Sequence, residues 1–359
     1  AMITDYGDIT DQSFNQTTYE ACKAFAEDNS IEFSYFKPAG DNTADRVAMI
    51  EKAVDEGFNV IVMPGYAFGG AIVEAAPEFP DVKFIALDVA AGDLLETAVA
   101  KAGEAYDYTP ENWDLNKYVD MSNVYCAVYQ EELCGYMAGY AAVKLGYKNL
   151  GFLGGMSVPA VVRYGYGFVQ GVDAAAADLG LTDVKLNYIY GGQFFGDADI
   201  TAVMDTWYQG GTEVVFACGG GIYTSAVEAA LKSNGYVVGV DVDQNYIGVN
   251  GVADGSFAYN PFITSAMKGL TEAVNTALSD IDAGDWGDIA ASNGNFGLED
   301  GDYVGLPTDA DSWNFETFTT DEYEALKEKI KSGEITVDNS SDDSTKPTVS
   351  EFTTVNYIQ

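Results

Sequence analysis

The chain opens with Ile3-Thr4-Asp5 and soon continues as Asp11-Gln12-Ser13-Phe14-Asn15-Gln16. The first segment has the composition of a short strand that ends in a carboxylate, and the second carries carboxylate, amide and aromatic side chains. Apolar residues then recur at helical spacing at Tyr19, Cys22 and Phe25, which predicts a helix directly after this loop. Strand, polar loop and helix form the start of an open α/β sheet, in which ligands bind beyond the carboxyl ends of the strands. We therefore interpret residues 11–16 as a ligand loop, with a helix-capping turn as the alternative.

Apolar stretches of strand length alternate with helical patterns along most of the chain. The predicted strands form two successive sets, residues 1–4, 32–36, 60–63, 83–87 and 124–129, then residues 149–153, 184–189, 213–218 and 237–240. Continuous apolar strands with helices between them are typical of parallel sheets covered on both faces. The sequence therefore predicts two α/β lobes with a ligand cleft between their carboxyl edges.

Composition excludes several classes of function. With 359 residues, of which 47% are hydrophobic, the chain is long enough for two domains with sizeable cores. Its formal net charge of −39 would repel nucleic acid and anionic lipid, which bind clustered Lys and Arg. The chain has no histidine, so a Ser-His-Asp triad, a histidine general base and a zinc site with imidazole ligands are excluded.

Two further features concern cysteine and the membrane. The four cysteines lie in apolar stretches without metal-like spacing, and we expect all of them to be buried free thiols: Cys22, Cys126, Cys134 and Cys218. No run of about twenty apolar residues occurs, so the sequence predicts no membrane span.

The predicted strands end in small or polar residues. Gly65 and Asp88 follow two strands of the first set, and Gly219-Gly220 and Asp241 follow two strands of the second. Glycines let the backbone approach a ligand, and carboxylates accept hydrogen bonds from hydroxyl groups. The glycine-rich pieces have neither GxGxxG spacing nor a Walker lysine, so they do not predict a phosphate-binding loop.

Six motifs occur in a characteristic order along the chain: Asp11-Gln12-Ser13-Phe14-Asn15-Gln16, Phe84-Ile85-Ala86-Leu87-Asp88, Gly135-Tyr136-Met137-Ala138-Gly139, Gly151-Phe152-Leu153-Gly154-Gly155-Met156 with Gly167-Phe168-Val169-Gln170-Gly171-Val172, Gly239-Val240-Asp241-Val242-Asp243-Gln244 and Thr264-Ser265-Ala266-Met267-Lys268. Their order resembles that of the basic membrane protein family, whose members are substrate-binding lipoproteins of ABC importers and include the purine-nucleoside receptors. The resemblance extends from Ile3 to about Val337.

The resemblance implies the type I periplasmic-binding-protein fold, in which two doubly wound parallel-sheet lobes are joined by a three-crossing hinge. We expect residues 1–129 and 246–284 to form the N-terminal lobe, and residues 130–245 and 285–337 the C-terminal lobe. Residues 338–359 are rich in Ser and Asp, which predicts a flexible tail, although residues 349–358 regain strand-like composition.

The same resemblance assigns residues to the base of a nucleoside. Phe14 would stack on the base, and Asn15, with Asp11 or Asp5, would meet its polar edge. Tyr164, which polar residues flank and which the pattern places in a loop, would be the aromatic residue of the second lobe. Core packing is the alternative for each ring.

Other residues would hold the sugar. The resemblance implies that Asp88, Asp241 and Lys268 bind the ribose hydroxyls, with Lys268 opening a helix. We expect Asp241 and Lys268 to be solvated when no ligand is bound. Phe195, or its neighbour Phe194, would face the cleft, and Gly219 and Gly220 would let the backbone approach the ligand.

The resemblance thus implies a non-enzymatic, extracytoplasmic receptor without catalytic residues, metal or cofactor. It would close around a purine nucleoside such as adenosine, guanosine or inosine and present it to an ABC permease. It would lie in the periplasm or at the cell surface, held to the membrane only by a lipid anchor absent from this chain.

Two alternatives stay open. The first is a receptor for another ligand, such as a flavin, a sugar or a signalling molecule. The second is a glycoside or nucleoside hydrolase that uses Asp241 with Asp243, or Asp11 with Asp88, as acid and base.

Overall fold

The computed structural model describes residues 1–5, 7–301 and 303–358. Contacts divide the chain into two compact units. The first unit comprises Ala1–Thr10, Phe14–Tyr129 and Leu270–Phe296. The second unit comprises Asp11–Ser13, Gln130–Gly269 and Gly297–Gln359.

Strands and helices alternate through both units. The strands are β1 (Met2–Ile3), β2 (Tyr35–Phe36), β3 (Val60–Pro64), β4 (Lys83–Leu87), β5 (Val124–Tyr129), β6 (Asn149–Gly154), β7 (Val184–Tyr190), β8 (Val214–Cys218), β9 (Tyr236–Asp241), β10 (Phe262–Lys268), β11 (Asn293–Phe296), β12 (Val304–Gly305) and β13 (Thr353–Tyr357). The helices are α1 (Phe14–Asn29), α2 (Thr43–Asp55), α3 (Gly69–Ala75), α4 (Ala91–Lys101), α5 (Leu115–Tyr118), α6 (Glu131–Lys144), α7 (Pro159–Leu179), α8 (Ala198–Gln209), α9 (Tyr223–Ser233), α10 (Asn245–Asp254), α11 (Leu270–Ala283), α12 (Trp286–Ile289) and α13 (Thr320–Lys331).

Local sequence signals determine where several helices begin and end. The Asn42 side chain accepts a hydrogen bond from the Asp45 amide (2.9 Å) and so caps α2. Asp197 caps α8 in the same way, with the Ile200 amide as donor (2.8 Å). Helix α7 ends at Gly180, whose φ of 65° is the left-handed conformation that glycine adopts without steric cost.

Both units contain a predominantly parallel sheet with the same strand connections. The first sheet has the order β11-β5-β4-β3-β1-β2, and the second has the order β12-β10-β9-β8-β6-β7-β13. All pairs in both sheets are parallel except β10 with β12, which are antiparallel. The predicted α/β class with parallel sheets is confirmed, and strands β4 and β5 match their predicted bounds.

Two helices of the second unit pack with their backbones in contact. A Cβ atom on Gly135 or Gly139 of α6 would overlap the Tyr164 or Phe168 carbonyl oxygen of α7. The reverse also holds, because a Cβ on Gly167 or Gly171 of α7 would overlap a carbonyl oxygen of α6. These four glycines explain two of the motifs quoted above, since no other residue permits this approach.

The unit boundaries differ from the predicted lobe boundaries in three places. Asp11–Ser13 lies in the second unit, although residues 1–129 were expected to form the N-terminal lobe. Residues 246–269 lie in the second unit, because β10 pairs in parallel with β9. Residues 285–296 lie in the first unit, because β11 pairs in parallel with β5. Each of the two longer segments ends at a change of unit that the hydrophobic pattern does not mark.

The predicted flexible tail is partly ordered structure of the second unit. Strand β13 pairs in parallel with β7 over five residues. Ser350 donates from its amide and its hydroxyl to Asp173 of α7 (2.8 Å each), and the Asp338 amide donates to Gln170 (2.8 Å). Gln359, the last residue of that predicted tail, lies outside the described residues.

The expectations for cysteine and the membrane can also be compared with the structure. All four cysteines are buried and free, as predicted. Within residues 1–5, 7–301 and 303–358, no helix is both long and apolar enough to cross a bilayer.

Candidate functional site

Three predicted residues of the first unit lie at or near the carboxyl edge of its sheet. Asp5 follows β1, and its Oδ1 accepts a hydrogen bond from the Gly7 amide (2.7 Å). A Cβ on Gly7 would overlap the Asn15 side-chain amide, so Asp5 and Asn15 flank the same glycine. Phe14 is the first residue of α1 and is half-buried. The structure therefore places the Asp5 carboxylate and the Asn15 amide side by side, with Phe14 directly before Asn15 at the start of α1.

The two sheets have an aspartate with left-handed backbone at the same topological position. Asp88 follows β4 with φ 59°, and Asp241 ends β9 with φ 66°. Each of these strands is the fourth along its sheet in the shared order, β2-β1-β3-β4 and β7-β6-β8-β9. Non-glycine residues with positive φ are uncommon and cluster at functional sites. The positive φ therefore indicates that both aspartates are candidate site residues, independently of any sequence resemblance.

Asp241 is the centre of a buried polar network in the second unit. It is 5% exposed, and its Oδ2 accepts a hydrogen bond from the Ser13 hydroxyl (2.6 Å). Its Oδ1 accepts a hydrogen bond from the Tyr164 hydroxyl (3.3 Å) and lies 3.7 Å from Lys268 Nζ. Asp241 and Lys268, two of the predicted sugar-binding residues, thus lie within ion-pair distance of each other.

The network continues beyond the predicted residues. Glu131, the first residue of α6, is fully buried, and its Oε1 lies 3.4 Å from Lys268 Nζ. Its Oε2 accepts a hydrogen bond from Arg163 Nε (2.7 Å). Sequence reasoning missed Glu131, Arg163 and Ser13 as members of this network. The one available signal was that Arg163 is one of only two arginines in the chain and follows the apolar residues 158–162.

The structure differs from expectation at Lys268. This residue ends strand β10 and does not open a helix, because α11 begins at Leu270. Lys268 is also 6% exposed and Asp241 5% exposed, so both side chains are buried and neither is solvated in the structure. Two carboxylates around one ammonium allow the lysine to be buried, since a buried charge must be paired.

Tyr164 also lies in a different environment from the one predicted. It belongs to helix α7, is 1% exposed, and packs edge-on against Phe216 with ring centroids 5.8 Å apart. Phe216 is itself fully buried. Burial raises the pKa of the Tyr164 hydroxyl well above its usual range, so this group stays protonated and can donate to Asp241.

The ligand loop contains the turn that its composition permits. Asp11 Oδ1 accepts a hydrogen bond from the Ser13 amide (3.0 Å), which is an Asx turn ahead of α1. Gln244, the last residue of the GVDVDQ motif, donates to the Gln12 carbonyl (3.0 Å). The same side chain accepts from the Val240 amide (3.1 Å), so Gln244 ties the loop to strand β9. Asp11 and Gln244 therefore fix the conformation of this segment ahead of α1.

Phe194 and Phe195 have different surroundings. A Cβ on Gly219 would lie 2.7 Å from the Phe194 ring, and a Cβ on Gly155 would overlap the same ring. Phe194 thus covers the ends of β6 and β8, whereas Phe195 is 60% exposed. Of the two, Phe194 is the aromatic residue at the strand ends. Gly219 and Gly220 have φ values of 136° and 50°, which a side chain would strain.

Glu132, the residue after Glu131 in α6, is a further buried carboxylate whose surroundings differ from those of the network. Glu132 is 4% exposed, and its Oε2 has no hydrogen-bond partner among the described residues. Burial raises its pKa to about 7, helped by the charges of Glu131 and Asp338 and opposed by Arg163. In the part of the chain that the structure describes, no cluster of acidic and cysteine residues could hold a metal ion.

The arrangement suits recognition of a neutral, polar ligand. The carboxylates at the strand ends can accept hydrogen bonds from hydroxyl groups, and Lys268 can donate to oxygen. Asp243, proposed as an acid or base in the hydrolase alternative, accepts hydrogen bonds from the Asn245 amide (3.0 Å) and the Ser312 hydroxyl. These bonds give Asp243 a structural function in holding the segment that contains Ser312.

Comparison with known proteins agrees with this geometry. The family described as "ABC transporter substrate-binding protein PnrA-like" matches residues 1–341. The ABC transporter nucleoside-binding protein BmpA of Lactococcus lactis is 26% identical over 294 residues, which are 78% of this chain and 73% of that protein. Basic membrane protein A1 of Borrelia garinii is 27% identical over 281 residues, 77% of this chain and 70% of that protein.

Solved structures show the fold. An ABC transporter solute-binding protein from Aeropyrum pernix K1 has a TM-score of 0.73 at 20% identity, covering 96% of this chain and 94% of that one. The periplasmic binding protein of the arabinose ABC transporter from Shewanella sp. ANA-3 has a TM-score of 0.57 at 15% identity, covering 93% and 98%. The fold is therefore the type I periplasmic-binding-protein fold, as predicted. Because the family match spans nearly the whole chain, the protein belongs to the PnrA-like family of ABC transporter substrate-binding proteins.

Proposed function

We propose that this protein is a purine-nucleoside receptor that delivers its ligand to an ABC permease and catalyses no reaction. The main observation in support of the proposal is the buried pair of Asp241 and Lys268 at the carboxyl edge of the second sheet. The Oδ1 atom of Asp241 lies 3.7 Å from the Nζ atom of Lys268. A carboxylate and an ammonium side by side match vicinal hydroxyls, which donate to one and accept from the other. The name of the Lactococcus lactis relative, a nucleoside-binding protein, supports the same ligand class.

The base is assigned to the first unit. Phe14 supplies an aromatic face, on which a purine ring can stack. Asn15 offers both a donor and an acceptor to the polar edge of the base, and Asp5 offers an acceptor. Asn15 and Asp5 are 6% and 7% exposed, so a ligand that reaches them must lose its water there. Such desolvation makes each correct hydrogen bond selective.

The sugar is assigned to Asp88, Asp241 and Lys268. Asp11, Gly219, Gly220 and the aromatic pair Phe194–Phe195 are the remaining contact positions of the proposal. Tyr164 contributes through its hydroxyl, which holds Asp241. In transport, the two units would close about the chain segments that connect them, and ligand that contacts both carboxyl edges would stabilise the closed state. We further propose an extracytoplasmic location, with membrane attachment through a lipid anchor, as the family resemblance implies.

Nucleosides are expected to raise the melting temperature, whereas their 5′-monophosphates are expected to do so weakly. Binding to the native state stabilises it by mass action, and the carboxylates Asp5, Asp88 and Asp241 would repel a phosphate dianion. Thermal shift measurements with adenosine, guanosine, inosine, their monophosphates, riboflavin and free sugars check this. Larger shifts with a flavin, a sugar or a nucleotide would overturn the nucleoside assignment. Unchanged nucleoside recovered after prolonged incubation would separate a receptor from a hydrolase.

The stacking assignment predicts that Phe14→Ala weakens nucleoside binding by about 1–3 kcal/mol, the range for base–aromatic stacks. Isothermal titration calorimetry gives the affinity. Phe25→Ala is a matched control, because it removes a phenyl ring from the same helix at a position about 16 Å further along the axis of α1. The control should keep wild-type affinity. Equal affinity loss in both variants would show that Phe14 acts through helix packing and not through the ligand.

A further inference from the structure

The feature that extends the site beyond its predicted residues is Glu131. This carboxylate is fully buried and uses its two oxygens differently: Oε1 lies 3.4 Å from Lys268 Nζ, and Oε2 accepts a hydrogen bond from Arg163 Nε at 2.7 Å. Glu131 is thus a bridge between the two cations of the network. The Arg163 guanidinium compensates the charge of Glu131. The interaction between Glu131 and Lys268 therefore leaves no excess negative charge in the interior.

Among the described residues, the Lys268 ammonium has close neighbours on three different elements. It lies 3.4 Å from Glu131 of α6, 3.7 Å from Asp241 of β9 and 5.6 Å from the centroid of the Tyr164 ring of α7. With Asp241 as its only carboxylate, a buried ammonium would close onto that oxygen, since the attraction grows as the distance falls. Asp241 and Lys268 would then satisfy each other and offer less to a ligand. A second carboxylate, that of Glu131, competes for the ammonium and opposes this collapse.

We propose that Glu131 is a positioning residue for ligand binding: it holds Lys268 away from Asp241, so that both groups can bind the sugar hydroxyls. The inference rests on the proposed function, because it assigns Glu131 to the sugar-binding pair of that site. Glu131 itself touches no ligand in this scheme. Pre-organised groups bind tightly because they need not be rearranged when the ligand arrives.

Glu132 provides an internal comparison. It is the next residue of α6 and is also buried, but its Oε2 has no hydrogen-bond partner among the described residues. The structure pairs it with neither Lys268 nor Asp241 in any described hydrogen bond or ion pair. The substitution Glu132→Gln therefore removes a buried carboxylate of the same helical turn without changing the lysine's neighbours.

The test is a double-mutant cycle between Glu131→Gln and Lys268→Met, with Glu132→Gln as the control, measured by calorimetry with a ribonucleoside and its 2′-deoxy analogue. We expect Glu131→Gln to weaken ribonucleoside binding about tenfold and deoxynucleoside binding at most about twofold. In the Lys268→Met background, Glu131→Gln should have no further effect, since it acts through the lysine. Glu132→Gln should keep the wild-type ratio of the two affinities.

Three outcomes would overturn the inference: additive losses in the cycle, equal losses for both nucleosides, or the same loss in Glu132→Gln. If Glu131→Gln does not fold, Glu131→Asp retains the charge and withdraws the carboxylate from Lys268. It should lower the ribonucleoside-to-deoxynucleoside affinity ratio, and an unchanged ratio would contradict the inference. A second double-mutant cycle uses the free energies of urea unfolding of the same variants without nucleoside. It measures the interaction energy between Glu131 and Lys268 independently of ligand binding. If the wild type binds no nucleoside the proposed function is wrong, whereas additivity in that second cycle contradicts the contact itself.

Discussion

Lys268→Met is expected to lower the free energy of unfolding of the ligand-free protein by about 3–5 kcal/mol, the usual effect of breaking a buried ion pair. The lysine side chain is 3% exposed, and its removal leaves Glu131 and Asp241 buried without the cation between them. Methionine retains the length and most of the volume of the side chain, so the loss reports charge and not packing. Urea unfolding at neutral pH, followed by circular dichroism, measures the effect.

Lys23→Met is the control for this experiment, because Lys23 forms a surface pair with Glu27 and its side chain is 50% exposed. Exposed pairs contribute about 0–1 kcal/mol, so the control should be nearly neutral. A loss below about 1 kcal/mol in Lys268→Met would mean that the ammonium does not stabilise the ligand-free network. The expectation from sequence was the opposite, since a solvated lysine could be removed without effect on the fold.

Glu132→Gln is expected to stabilise the protein at alkaline pH and to have little effect in acid. The carboxyl pKa rises from 4.5 to about 7 on folding, because burial disfavours the charged form. The native state therefore holds this proton more tightly than the unfolded state, and stability from this group falls as pH rises from about 4.5 through 7. Above pH 8 the full penalty is about 3 kcal/mol, which glutamine, being neutral, does not incur.

Urea unfolding of wild type and variant at pH 4.5, 6 and 8 tests this directly. The stability difference between them should grow with pH and level off above about pH 8. Glu74→Gln, at an exposed position of α3, should shift stability by at most about 0.5 kcal/mol at every pH. A difference that is constant across this pH range would show that Glu132 does not change its protonation on folding.

Much of the fold follows from hydrophobic pattern. Strands β4 and β5 have the bounds that the hydrophobic pattern predicts, because each is an apolar run between turns. Helix α6 gives no such pattern. It is buried on nearly all sides, from Glu131 to Val143, so no polar face reveals its period.

The site could be predicted only in part. Family motifs identified Asp241 and Lys268, and the structure places them 3.7 Å apart. The rest of the network joins residues 13, 131 and 163, which the sequence separates widely and no local rule connects. Burial also changes with tertiary context: Tyr164 has polar neighbours in sequence but is covered by Phe216 and Asp241 in space.

The glycine contacts between α6 and α7 limit how this receptor could be re-engineered. Gly135, Gly139, Gly167 and Gly171 leave no space for a Cβ, so a substitution at any of them would push the two helices apart. Arg163 and Glu131 lie on these two helices, which makes the helix pair a poor target for directed evolution. The exposed Phe195 tolerates variation, so a library at this position would test its proposed ligand contact and leave the helices intact. A biosensor built on this chain would best keep the helices and vary the loop.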